Sequence, residues 1–160
     1  MNENVNVMNE VAEVTTDVEQ GLIGVGIGQL MNAGASADLY CSIKADTFES
    51  KASVYNAINA PDKKLSECIN MIINVSDVVA HEVTLIDNET GEVTKALRTI
   101  LVDTNGVTYQ AVSVGVANSL QRIFSIFGEP ATWKNPLKVK PVQKTTNNGT
   151  NKVTLLEVVK

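Results

Sequence analysis

The chain reads as mainly β, a small barrel of five strands with one helix between the third and fourth and an added strand or arm at its N-terminal end. Three observations carry this. Apolar residues alternate along 69–86, two tight turns divide the strands that follow, and one 3.6-residue apolar stripe stands between that meander and a last hairpin.

Residues 1–20 hold Glu3, Glu10, Glu13, Asp17 and Glu19, no basic residue and no sustained period, so they read as a mobile acidic arm. The single folded domain is then expected over residues 21–160. Gly24, Gly26 and Gly28 invite a phosphate-loop reading, but no strand precedes them and no capped helix with a downstream acid follows. A glycine-rich edge strand or loop is expected instead. Residues 39–58 look extended, and Pro61-Asp62 marks a turn.

From Ile69 to Ile86 the apolar positions Ile69, Met71, Ile73, Val75, Val79, Val83 and Leu85 share one parity. Asp77 and His81 interrupt it, which predicts a long strand bent or bulged near Ser76-Asp77. Asp87–Glu92 connects it to a second strand, Val93–Asp103, with Gly91 available for a positive φ. Asp103-Thr104-Asn105-Gly106 is a type I turn with a bulge, leading to a third strand at about Val107–Val112. If the bulge forms, Tyr109 lies across from Leu101; a slip of one residue puts it on the face of Arg98.

Val116, Leu120, Ile123, Phe124 and Phe127 make the helical stripe of Val114–Phe127, with Ser113 as N-cap and Gly128 and Pro130 as the stop. Phe124 and Phe127 are assigned to the core. Pro136–Lys144 and Lys152–Val159 form a hairpin around 145–150. Meander, helix, hairpin is the strand order of an OB-fold, with an α+β sandwich as the alternative architecture.

The net charge of −5 conceals a polarity. The acidic first 20 residues contrast with Lys134–Lys160, where Lys134, Lys138, Lys140, Lys144, Lys152 and Lys160 face Glu157 alone. An acidic tail and a basic working surface on one molecule follow from that split. The longest apolar run, Gly21–Met31, is too short to span a bilayer and lacks a basic flank, so a soluble chain in the cytoplasm is expected. Cys41 and Cys68 have no ligand or redox spacing.

Catalysis has little material. His81 is the single histidine and sits within a strand between Val79 and Val83, and neither cysteine completes a metal set with it. Asp87, Glu89 and Glu92 are explained by their turn. The expectation is a non-enzyme without cofactor or metal. Nucleic acid has better material. Lys138, Lys140 and Lys144 share a strand parity, so alternation puts three ammonium groups on one face at about 6.6 Å per two residues. Lysine suits contacts to a phosphate backbone, which carry no sequence information. Tyr40, Phe48, Tyr55, Tyr109 and Trp133 are candidate stacking platforms for bases; Tyr109 is equally a core residue, and Trp133 a plug for the barrel end. Lys95, Arg98, Lys134 and Lys152 complete the candidate surface. A viral structural or assembly module would have a similar sequence; a groove joining Lys95 or Arg98 to Lys138, Lys140 and Lys144 would separate the two readings.

The blocks Val54-Tyr55-Asn56-Ala57-Ile58-Asn59, Pro61-Asp62, Leu65-Ser66 and Ala96-Leu97-Arg98-Thr99 form a distinctive set. It continues with Asp103–Gly106, Tyr109–Ser113 and Ile123–Pro130. Over about residues 50–160 the chain resembles the single-stranded DNA-binding proteins of phages, plasmids and conjugative elements of Gram-positive bacteria. The resemblance implies sequence-independent coating of single strands during replication, with no cofactor, and Tyr109 and Arg98 match its pattern. Because the chain ends Val158-Val159-Lys160, docking of replication proteins through an acidic C-terminal tip is in doubt. The N-terminal acidic arm is the candidate for that role, or for occupying the DNA groove.

Overall fold

The computed structural model describes the backbone of Met8–Glu13 and residues 39–160 in full. The glycine run at Gly24–Gly28, and the arm outside Met8–Glu13, lie outside the described residues.

The organising element is β4, Ile73–Asp87. One of its edges pairs antiparallel with β5 (Val93–Asp103) from Val75 to Ile86. Its other edge is filled in succession by three segments. Strand β7 (Leu137–Thr145) pairs at Ile73–Val75, β2 (Leu39–Cys41) at Val79–His81, and β1 (Met8–Glu13) at Val83–Asp87. Part of the stretch expected as an unpaired acidic arm is therefore a strand. The reason is the length of β4, whose far half would otherwise expose a row of unpaired backbone groups.

The expected bulge falls at Val75/Asp77. Ser42 secures it, its Oγ donating to Asp77 Oδ1 at 2.9 Å and accepting from the Val78 N–H at 2.9 Å. The bulge also changes the phase of the alternation. Ile73 and Val75 enter the main core, followed by Val78 and Ala80 and not by Val79, which turns to the opposite face with Ile100. The single-parity reading of this strand is corrected accordingly.

Beyond β5, the Asp103–Gly106 turn forms as expected, with Gly106 at φ 82° and Asp103 Oδ1 accepting from the N–H groups of Asn105 and Val107. Strand β6 (Thr108–Ala111) then pairs with β5 so that Tyr109 opposes Leu101. At the far end, β8 (Lys152–Val158) pairs with β7 across a turn in which Gly149 has φ 74°.

Two expectations fail here. Residues 48–58 are not extended: Phe48–Asn59 is a helix, α1. Its N-cap is Thr47, whose hydroxyl accepts from the Ser50 N–H while Ser50 Oγ accepts from the Thr47 N–H. Serine closes this capping box where glutamate or glutamine is usual, and Val54 and Ala57 alone are buried along the helix, so the apolar stripe is short.

The sheet also does not close into a barrel. Its path runs β3-β6-β5-β4-β7-β8, where β3 is Lys63–Lys64, and β6 and β8 do not pair. On one side the free edge of β6 is taken by β3 in parallel, with Lys63 opposite Tyr109. Asp62 clamps this edge, Oδ2 accepting from both the N–H and the hydroxyl of Thr108 at 2.9 Å. On the other side α2 (Val114–Phe127) lies against β8. Ser119 Oγ accepts the outward N–H of Leu156 at 3.1 Å, a group a closing strand would have used. Strand order and the position of α2 follow the expectation; five-stranded closure does not.

Helix α2 matches its expected bounds, capped by Ser113 Oγ, which accepts from the Val116 N–H, and ended at Gly128 with φ 81°. Val116, Leu120, Ile123 and Phe124 pack with Val78, Ala80, Leu101, Val139 and Leu156 in the main core. Phe127, assigned to that core, is 46% exposed. Helix α1 covers the opposite face, where Ala57 meets Leu39, Val79 and Ile100.

Candidate nucleic-acid interface

Strand β7 presents Lys138, Lys140, Val142 and Lys144 on one face and Val139 and Pro141 on the other. Val139 is core, so the lysine face turns away from the main core; Lys138 and Lys144 are exposed on it, while Val142 between them is buried. The cross-strand partners of that face are Asn74 for Lys138, Glu157 for Lys140, Leu155 for Val142 and Val153 for Lys144. Glu157 is close to two of the cations, 3.4 Å from Lys140 and 3.9 Å from Lys144. Lys134 is exposed just before the strand. Lys152 opposes Thr145 and so stands on the other face of the hairpin from Lys144.

Lys95 and Arg98 do not join this row. Lys95 opposes Thr84, ten residues along β4 from Asn74, the partner of Lys138. That is about 33 Å of strand. Its ammonium is paired with Glu82 at 2.9 Å. Arg98 is 8% exposed beneath α1, where its guanidinium donates to the Ile58 carbonyl at 3.3 Å. A cation with five donors can anchor a helix end in this way, and burial pulls its pKa down. The discriminating groove from Lys95 or Arg98 to the β7 lysines is not formed: Arg98 lies beneath α1, and Lys95 stands on the other face of β5, that of Leu97 and Leu101.

The aromatic candidates separate equally clearly. Tyr109 is 7% exposed within the main core, and its hydroxyl donates to Asp103 Oδ2 at 3.1 Å. Burial first, and the Asp103 carboxylate second, push its phenol up to about 12. The Lys63 ammonium stands 5.7 Å from the ring centroid, within cation–π range. Trp133 packs edge-on to Phe124 with centroids 6.3 Å apart, and its indole N–H donates to the Gly128 carbonyl at 2.8 Å. It is partly buried against the main core. Tyr40 is buried against Phe124. By contrast Tyr55 and Phe48, on α1, are 67% and 83% exposed.

His81 is buried opposite Arg98 in the β4–β5 ladder. Among the described residues no group of three or more His, Cys, Asp and Glu side chains is placed to hold a metal. What the sequence did not disclose is the counter-charge. Glu157 is seventeen positions from Lys140 in the chain, and only the hairpin register brings the two together.

A family model described as phage single-stranded DNA-binding protein matches residues 33–157. The chain belongs to that family. No curated protein and no solved structure matches it. Family membership makes single-stranded DNA the ligand class. The family match begins before β2 and runs into β8, so it spans both α1 and the lysine strand.

Proposed function

We propose that this protein coats single-stranded DNA without sequence preference during phage or mobile-element replication, in the cytoplasm of the host cell, and protects the strand while it is unpaired. The observation that carries this reading is the lysine face of β7. Lys138, Lys140 and Lys144 are repeated along one face of a strand with a core behind it, and Lys134 is exposed three residues before the strand begins. Ammonium groups on such a strand track phosphates and read no bases. Lys152 and the exposed ring of Tyr55 lie outside the row and serve as peripheral contacts, one to phosphate and one to a base.

The test is a fluorescence titration with an oligothymidine of about 30 nucleotides, longer than the roughly 4–16 nucleotides that single small β-domains binding single strands cover. A duplex of equal length is the control, and both are titrated at low and high salt. Tight binding to the single strand, weak binding to the duplex and a steep fall with salt are expected. Equal binding to both, or none, would overturn the reading and return the chain to the class of structural modules.

A further inference from the structure

Helix α2 ends in two large apolar side chains that the core does not absorb. Phe124 is buried, yet Ile126 is 76% exposed and Phe127 46%. Phe127 belongs to the apolar stripe, but it is the last helical residue and overhangs the β8 edge. Ile126 lies off the stripe, where a polar residue would be the ordinary choice.

Beside this pair an open cleft separates α2 from the β7–β8 hairpin. Its hairpin side includes Val142 and Leu155, and its helix side Ile126, Phe127 and the exposed Arg122. Lys144 and Glu157 stand across from the helix. Lys140 adjoins them through its pairing with Glu157. Arg122, Lys140 and Lys144 against one carboxylate leave a net charge of +2 around apolar walls.

An apolar cleft rimmed by cations fits a ligand with flat apolar faces and regularly repeated negative charge. A docked protein surface would bury the apolar pair, but would have to place carboxylates against these cations or desolvate them unpaired, whereas a nucleic-acid strand brings a phosphate with every residue. We propose that the cleft between α2 and β8 is a base-binding subsite for unpaired DNA. A base stacks on Phe127 against Ile126, and Arg122 and Lys144 hold the flanking phosphates. This rests on the single-strand reading above and extends the interface from β7 onto the helix.

The test uses the full chain and the anisotropy of a labelled oligothymidine. Phe127→Leu keeps an apolar side chain and removes the ring, and should weaken binding by about fivefold or more. Arg122→Gln should lower the slope of log affinity against log salt by about 0.7. Lys138→Ala, at the other end of the lysine row, reports the β7 contacts independently. If Phe127→Leu and Arg122→Gln bind as the parent does while Lys138→Ala loses slope, the subsite is overturned and the coating function stands. If the parent itself does not prefer single strands, both readings fall. A change of oligomeric mass in sedimentation without a change of affinity would assign the cleft to a protein contact and overturn the proposal. Should Phe127→Leu unfold, photocrosslinking of an iodouracil oligonucleotide to the parent decides: an adduct at Phe127 is expected, and adducts elsewhere alone would sink the idea.

Discussion

Lys140 and Glu157 are direct partners across the β7–β8 ladder, and their charged groups approach to 3.4 Å. The same carboxylate reaches Lys144 at 3.9 Å. Two of the three cations on the β7 face are thus already engaged by one internal anion. On the proposed reading, a phosphate entering this face meets the Glu157 carboxylate beside the same lysines, and the two anions compete for their donors.

Removing that competitor should strengthen binding. Glu157→Gln keeps size and hydrogen-bonding capacity but frees both ammonium groups. Affinity for oligothymidine should rise by up to about fivefold, the scale of an exposed ion pair of roughly 0–1 kcal/mol. The gain should be largest at low salt. Thermal stability should change little, since Glu157 and Lys144 are well exposed. Weaker binding by the variant would mean that Glu157 organises the lysines instead of blocking them.

Replacing Lys138, Lys140 and Lys144 together by alanine tests the row itself. Three phosphate contacts on a single strand contribute about 0.7 each to the salt slope, so the slope should fall by about two units. A folded triple variant with the parental slope would take this face out of the interface.

Tyr109 offers a pH signature. Its phenol is held neutral, with a pKa of about 12 in the fold against about 10 when unfolded. The stabilisation is therefore complete below about pH 10, declines as pH rises and is gone above about 12. Tyr109→Phe loses the bond to Asp103, and should be less stable than the parent at neutral pH by about 1 kcal/mol. That difference should shrink between pH 10 and 12 in chemical-denaturation curves. A difference that stays constant over this range would show that folding does not raise the phenol's pKa.

Gly115 decides how closely α2 meets β8. A Cβ there would lie 2.3 Å from the Thr154 carbonyl oxygen and 2.6 Å from Val153 Cγ2. Backbone cannot yield cheaply, so Gly115→Ala should cost about 1–3 kcal/mol. It should also open the cleft between helix and hairpin. An unchanged melting temperature would place α2 further from β8 than the structure has it.

The two thiols should be silent in the folded protein. Burial pushes the Cys41 thiol up to about 11, and Cys68 is 3% exposed. A disulfide reagent at pH 8 should react slowly with native protein and rapidly with both thiols in denaturant. Fast reaction of Cys41 under native conditions would show that the β2 edge opens readily.

The sequence by itself determined what depends on local period and turn chemistry. Alternation and the Asp103–Gly106 turn located β5 and β6 and set Tyr109 opposite Leu101, because a turn with a defined bulge admits one register. Ser113, the stripe from Val116 and Gly128 bounded α2, and parity alone put Lys138, Lys140 and Lys144 on a common face. Tertiary structure decided what covers each face. Whether Phe48–Asn59 coils rests on a serine-closed capping box and on the β4–β5 surface that receives Ala57. Whether Arg98 meets DNA or a helix end depends on α1 arriving from forty residues away. Closure of the barrel was lost to two distant competitors, Lys63–Lys64 on the edge of β6 and Ser119 on the N–H of Leu156. Each of these is a contest between long-range partners for one backbone group or one apolar face. Residues that compete in that way are far apart in the chain, so local pattern holds no record of which one wins.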